Sequence, residues 1–157
     1  KGVNASGFAC FALAMIVSRL LGDKTLDRFG PALTVRLGAY IGGVAWGAAI
    51  LIAVPLSDSH PLLALIIINL GFIVVGFGIG PMFPAFILAA GATSGVAPAV
   101  AIARVGVIGI AGYFFGPTLT GLISEVTSLP IALFFPIVML FLAGYLSRTI
   151  HTDKDRH

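Results

Sequence analysis

Ser18-Arg19-Leu20-Leu21-Gly22-Asp23-Lys24-Thr25-Leu26-Asp27-Arg28-Phe29-Gly30-Pro31 places five charged residues between two long apolar runs. It reads as a short charged hairpin at a membrane surface, because Gly22 and Gly30 each allow a tight reversal. Asp23 and Asp27 alternate with Lys24 and Arg28, so charges can pair within the hairpin or across an interface. The surrounding composition sets the medium. Of the 157 residues 59% are hydrophobic and 10% charged, and the mean hydropathy is +1.10. A soluble domain carries about 25% charged residues. Charge this sparse does not cover a water-facing surface, and disorder needs the opposite balance. Twenty Gly and nine Pro suit transmembrane helices better than soluble ones. The apolar runs are continuous and do not alternate, which argues against a β-barrel.

At roughly 20 residues per crossing, the length allows about five spans. Working outward from the hairpin, they are expected at about 7–21, 33–54, 62–90, 96–123 and 130–146, with a tail over 149–157. The span over 62–90 is longer than a bilayer needs, so it should tilt or break. Pro81 and Pro84 supply the means, since each lacks a backbone donor. Basic residues set the orientation. Arg19, Lys24, Arg28 and Arg36 crowd the first loop and its flanks, and Arg148, Lys154 and Arg156 the tail. The loops at 55–61 and 125–129 contain neither Lys nor Arg. The bias puts the first loop and the C-terminus in the cytoplasm. The net charge of +3 is spread thinly and argues for this topology, with no nucleic-acid partner. Cys10 is the single cysteine and reads as inert packing. The first apolar segment is a poor signal peptide, and is expected to be the tail of a helix that begins further upstream.

Several residues could carry chemistry. Arg104 lies well inside an apolar run, where charges usually face a bundle interior or a water-filled cavity; the alternative is snorkelling to the interface. Asn69 sits within the third span, fit to contact substrate or to hydrogen-bond another helix. Tyr113 lies on the outer half of the fourth. Trp46, Tyr40 and Tyr145 read as interface anchors or lipid-facing packing. Gly106, Gly109, Gly112 and Gly116 recur every three or four residues along one helix face. Such a face lets another backbone approach closely, or borders a solvent-filled path. No His, Cys or acidic set has metal-ligand spacing, and no phosphate-binding loop is present. No metal and no cofactor are expected.

With these residues in view, the chain resembles the major facilitator superfamily. Gly22-Asp23 followed by Asp27-Arg28-Phe29-Gly30 is similar to that family's signature loop between consecutive helices. Gly76-Phe77-Gly78-Ile79-Gly80-Pro81-Met82-Phe83-Pro84 resembles the Gly/Pro-rich cytoplasmic end of helix ten. Gly109 to Pro117, containing Gly112, Tyr113 and Gly116, resembles helix eleven of the fucose-permease-like and rhizopine-permease-like branches. The resemblance implies an all-α membrane fold, with five transmembrane helices corresponding to helices eight to twelve. They would form most of the C-terminal half, with the N-terminal half missing.

The resemblance also implies a permease that moves a small polar solute by alternating access, alone or with a coupling ion. It would sit as a multi-pass protein in the bacterial inner membrane, in contact with lipid. Gly22, Asp23, Asp27, Arg28 and Gly30 would form a gating loop, with Asp27 as latch. Asn69, Arg104 and Tyr113 are candidates for the transport pathway. Gly76, Gly80, Pro81, Pro84, Gly112, Gly116 and Pro117 are candidates for helix packing and hinges. The alternative class is a structural or assembly subunit of a membrane complex. A membrane-embedded enzyme is the third: Asp23 and Asp27 could share a divalent metal, but the further Asp residues and upstream Asp-Gly element this chemistry needs are missing. The expectation is therefore a non-enzyme.

Overall fold

The computed structural model describes residues 6–150, apart from the side chain of Asp23. The tail residues Lys154 and Arg156, on which part of the expected topology rests, lie outside this range. Among the described residues all regular structure is helical: α1 (Ser6–Leu56), α2 (Pro61–Ile79), α3 (Met82–Gly91), α4 (Pro98–Val126), α5 (Leu129–Ala132), α6 (Phe135–Leu146) and a closing 3₁₀ turn (Ser147–Thr149). Four helical stretches are long and apolar enough to cross a membrane: Lys24–Leu56, Pro61–Gly91, Pro98–Val126 and Leu129–Thr149. Ser6–Gly22 is a shorter apolar helix.

α1 is two arms joined at Gly30, whose φ of 73° and ψ of 168° are not helical. Contacts with α2 reveal the fold-back. On one side of α2, Phe72 meets Gly7, Gly76 meets Phe11 and Ala14, and Gly80 meets Ser18, so α2 and the first arm run parallel. On the other, Gly71 meets Ala49, Val75 meets Gly42 and Gly78 meets Gly38, so the second arm runs antiparallel. The chain therefore reverses between the arms. That reversal needs a residue free to adopt positive φ. Pro31 comes next, with its φ preset for a helix start and no donor to leave unpaired. The Thr34 hydroxyl then donates to the Gly30 carbonyl at 2.7 Å.

The structure corrects the expected hairpin loop. The chain stays helical through residues 24–29, and the reversal is confined to Gly30. The reason is local. Lys24, Leu26 and Arg28 form helix readily and no breaker interrupts them until Gly30-Pro31. Leu26 also packs onto a core of Val35, Ala39, Met82 and Ala85, which draws the segment into the bundle. Gly22 is buried within the first arm, where an added Cβ would lie 3.6 Å from Pro81. It serves close packing and not a turn.

The second arm is the centre of the molecule. It contributes to both cores, the second comprising Trp46, Ile50, Val75 and Ile137. α6 reaches it through glycines: Gly43 lies against Phe141, and Gly144 against Tyr40 and Ala39. Eight of the fourteen buried apolar residues are alanines, while large side chains such as Phe8, Leu20, Ile110 and Phe114 are exposed. This is the arrangement expected in lipid, where no hydrophobic force draws helices together and small residues let backbones pack. α4 stands apart, with none of its residues buried. It touches α3 where Gly109 faces Phe83 and Ile102 faces Gly91.

Candidate functional site

The structure brings two of the sequence stretches together. Residues 18–30 on the first arm and 76–81 at the end of α2 share one seam, with Gly22 against Pro81 and Gly80 against Ser18. Helix α2 ends there because Pro81 has no N–H to continue the ladder. The Gly80 N–H closes the last turn onto the Gly76 carbonyl at 3.0 Å. Ser18 is buried, and its hydroxyl lies 3.3 Å from the Gly76 carbonyl and 3.2 Å from that of Met15. The one hydroxyl hydrogen is shared between its own helix and the end of α2. Pro84 lies in the first turn of α3, where a missing donor costs nothing.

α2 is held from both sides by backbone contact. A Cβ on Gly38 would collide with the Gly78 carbonyl, and one on Gly76 would come within 2.6 Å of the Phe11 carbonyl. Between the two arms and α2 lies a cleft of about 440 Å³. Phe29 and Thr34 line the end nearest the Gly30 joint, here called its mouth, and Ser18, Ile41 and Ile73 line the far, deep end. Asp27 and Arg28 are exposed in the last turn of the first arm, and the Arg28 guanidinium lies 5.5 Å from the centre of the Phe29 ring.

The other candidate residues are not gathered at this seam. Asn69 is half-buried where α2 meets the start of the first arm. Its Nδ2 donates to the Leu65 carbonyl at 3.0 Å and to the Ser6 hydroxyl at 3.3 Å, and its Oδ1 is buried with no partner. Arg104 and Tyr113 are both exposed on α4, as is Pro117. Nine residues apart, Arg104 and Tyr113 lie on opposite faces of that helix, since each residue turns it by about 100°. Cβ atoms on Gly106, Gly112 and Gly116 would meet nothing within 4 Å. Apart from Gly109, which faces Phe83 of α3, the glycines of this α4 face meet no other described element. Among the described residues no group of three or more His, Cys, Asp or Glu could hold a metal.

Sequence reasoning missed Ser18 and Trp46. Ser18 carried no periodic signal, and its partner Gly76 is 58 residues away. Trp46, expected at an interface or facing lipid, is buried at 6% exposure and donates from Nε1 to the Leu133 carbonyl at 3.2 Å. That carbonyl lies at the break between α5 and α6, where the Ile137 N–H bonds to Phe134 instead.

No family model and no solved structure matches the chain. Three curated proteins do. An uncharacterized MFS-type transporter of Yersinia pestis is 35% identical over 80% of this chain and 30% of its own length. Membrane protein MosC of Rhizobium meliloti is 28% identical over 99% of this chain and 35% of its own length. The uncharacterized transporter y4wD of Sinorhizobium fredii is 28% identical over 88% and 34%. The chain spans about a third of the length of these relatives. The resemblance to the major facilitator superfamily is thereby shown: over most of its length this multi-pass membrane chain is a relative of proteins named as MFS-type and other transporters.

Proposed function

We propose that the chain is the C-terminal part of a major facilitator secondary transporter, contributing helices eight to twelve and moving a small polar solute across the bacterial inner membrane. The observation that carries this reading is the match of 80% and 88% of the chain to about a third of two proteins named transporters. Transport proceeds by alternating access, the two halves rocking about a central site. The reading is supported by the unburied α4, whose open glycine face suits a helix from the other half. Arg104 and Tyr113 on that helix, with Asn69, would contribute to the pathway. The relatives' names speak for transport over catalysis and over a purely structural subunit.

In this reading Asp27 is a latch. It lies in the last turn of the first arm, where the helix dipole is negative and a carboxylate gains nothing locally. A helix N-terminus in the other half would supply the positive partner, worth about 0.3–1 kcal/mol. The uptake assay uses vesicles holding either the full-length protein, its Asp27→Asn variant, or the 157-residue chain by itself. Flux is expected from the full-length protein, a few-fold less from the variant at equal expression, and none above empty vesicles from the chain alone. Flux from the isolated chain would overturn the assignment as one part of a transporter. Unchanged flux in the variant would remove the latch.

A further inference from the structure

The geometry points to the cleft between the two arms of α1 and α2 as a binding site for one anionic glycerophospholipid, with an acyl chain in the cleft and the phosphate at Arg28 and Lys24. This rests on the chain lying in a membrane and is independent of the transport reading. The cleft is elongated along the helices. From Phe29 at the mouth to Ser18 at the deep end is eleven residues of helix, or about 16 Å. That is half the hydrocarbon core of roughly 30 Å, the depth reached by an acyl chain of one leaflet. The walls are apolar along this length, with Leu21, Leu37, Phe77 and Val74 between mouth and end. The hydroxyls that border it each donate to a backbone carbonyl: Ser18 to Met15 and Gly76, Thr25 to Leu21 at 3.5 Å, and Thr34 to Gly30. The cleft therefore offers little to a polar solute and much to a hydrocarbon chain.

Charge at the mouth selects the headgroup. Thr25 and Phe29 line the cleft one turn apart on the first arm. Lys24 and Arg28, each one position before them, run along one edge of that lining face, and both are exposed. Asp27 is two positions past Thr25, about 200° round the helix and on the far side. The carboxylate is thus turned away from the cleft, while Arg28 borders its mouth and Lys24 lies along the same edge, about 6 Å further in. Arg28 is tied to the cleft directly through its contact with Phe29. Two cations along one edge of an apolar slot one leaflet deep match a phosphodiester carrying net negative charge, and give a neutral headgroup no advantage.

The experiment places the chain in nanodiscs of phosphatidylcholine with a minor share of phosphatidylglycerol whose acyl chain ends in a diazirine. After photolysis the labelled residues are mapped by mass spectrometry. Labels should concentrate at Ser18, Ile41 and Ile73 over lipid-exposed positions on α4 such as Ile110. The enrichment should fall about fivefold for each cation removed, in Lys24→Gln and Arg28→Gln. Diazirine-bearing phosphatidylcholine should show no such enrichment. Labels spread evenly over the exposed apolar surface would mean an ordinary lipid annulus and overturn the site. So would equal enrichment of the two lipids, labelling unchanged in the charge variants, or crosslinks from the cleft to a second copy of the chain.

Discussion

The indole of Trp46 joins three elements at once. It belongs to the second arm of α1, packs on Phe72 of α2 at 4.5 Å between ring centres, and donates to the Leu133 carbonyl where α5 gives way to α6. The need arises because the Ile137 N–H, which an unbroken helix would direct to Leu133, bonds to Phe134 at this break. Trp46→Phe keeps most of the ring contact and removes the N–H. The expected loss is about 1 kcal/mol, between the roughly 0.6 typical of hydrogen bonds in a membrane bundle and the 1–3 of an orphaned buried group. Trp46→Ala should lose about 3–5 kcal/mol by leaving a cavity. Unfolding in mixed micelles with increasing dodecyl sulfate, followed by circular dichroism, measures both. If Trp46→Phe unfolds at the wild-type midpoint, the hydrogen bond adds nothing to stability.

At the scale of elements, the joint in α1 requires glycine while position 22 in the seam with α2 does not. Gly30 has open space around it but a backbone conformation that is essentially confined to glycine. Gly22 has ordinary helical geometry, and an added Cβ there would make a normal contact with Pro81 at 3.6 Å. Gly30→Ala should therefore destabilise the fold-back by about 1–3 kcal/mol. Gly22→Ala should be neutral or slightly stabilising, through the roughly 1 kcal/mol advantage of alanine in a helix. The same denaturation series compares them. Equal effects would show that the reversal does not depend on the conformation at Gly30. The charged stretch itself was legible as the end of a span but not as helix. Lys24, Leu26 and Arg28 favour helix while the run of charges suggested a loop, and the packing of Leu26 on the Val35 core reinforces the helix.

For the whole molecule, the distribution of surface is that of a protein whose solvent is lipid. Small residues are inside, large apolar ones outside, and α4 has no buried residue. Orientation is set by charge at the ends of the helices. With Cys10 first replaced by Ser, Ser57→Cys should react with an impermeant maleimide in intact cells, and Lys24→Cys only after permeabilisation. The motive is the absence of Lys and Arg from the 55–61 loop against their concentration around the Gly30 joint. The reverse labelling pattern would invert the topology and, with it, the leaflet assigned to the phospholipid cleft.

Sequence alone determined the medium and the class of element. Hydropathy acts over the thickness of a bilayer, and within it every backbone group must be satisfied locally, which leaves helices. The weak point at Pro81 was equally local, because a proline removes its own donor wherever it stands, whereas Gly30 was only one of two glycines marked for the reversal. Tertiary structure decided what meets across the bundle. Ser18 reaches Gly76, Trp46 reaches Leu133, and Gly38 touches Gly78 backbone to backbone. In lipid such contacts are chosen by shape and not by hydrophobicity, since every apolar face is equally content with acyl chains. Periodicity could mark Gly38 and Gly112 alike as small residues on a helix face. Only the packed bundle distinguishes the one pressed against a neighbouring carbonyl from the one that meets nothing.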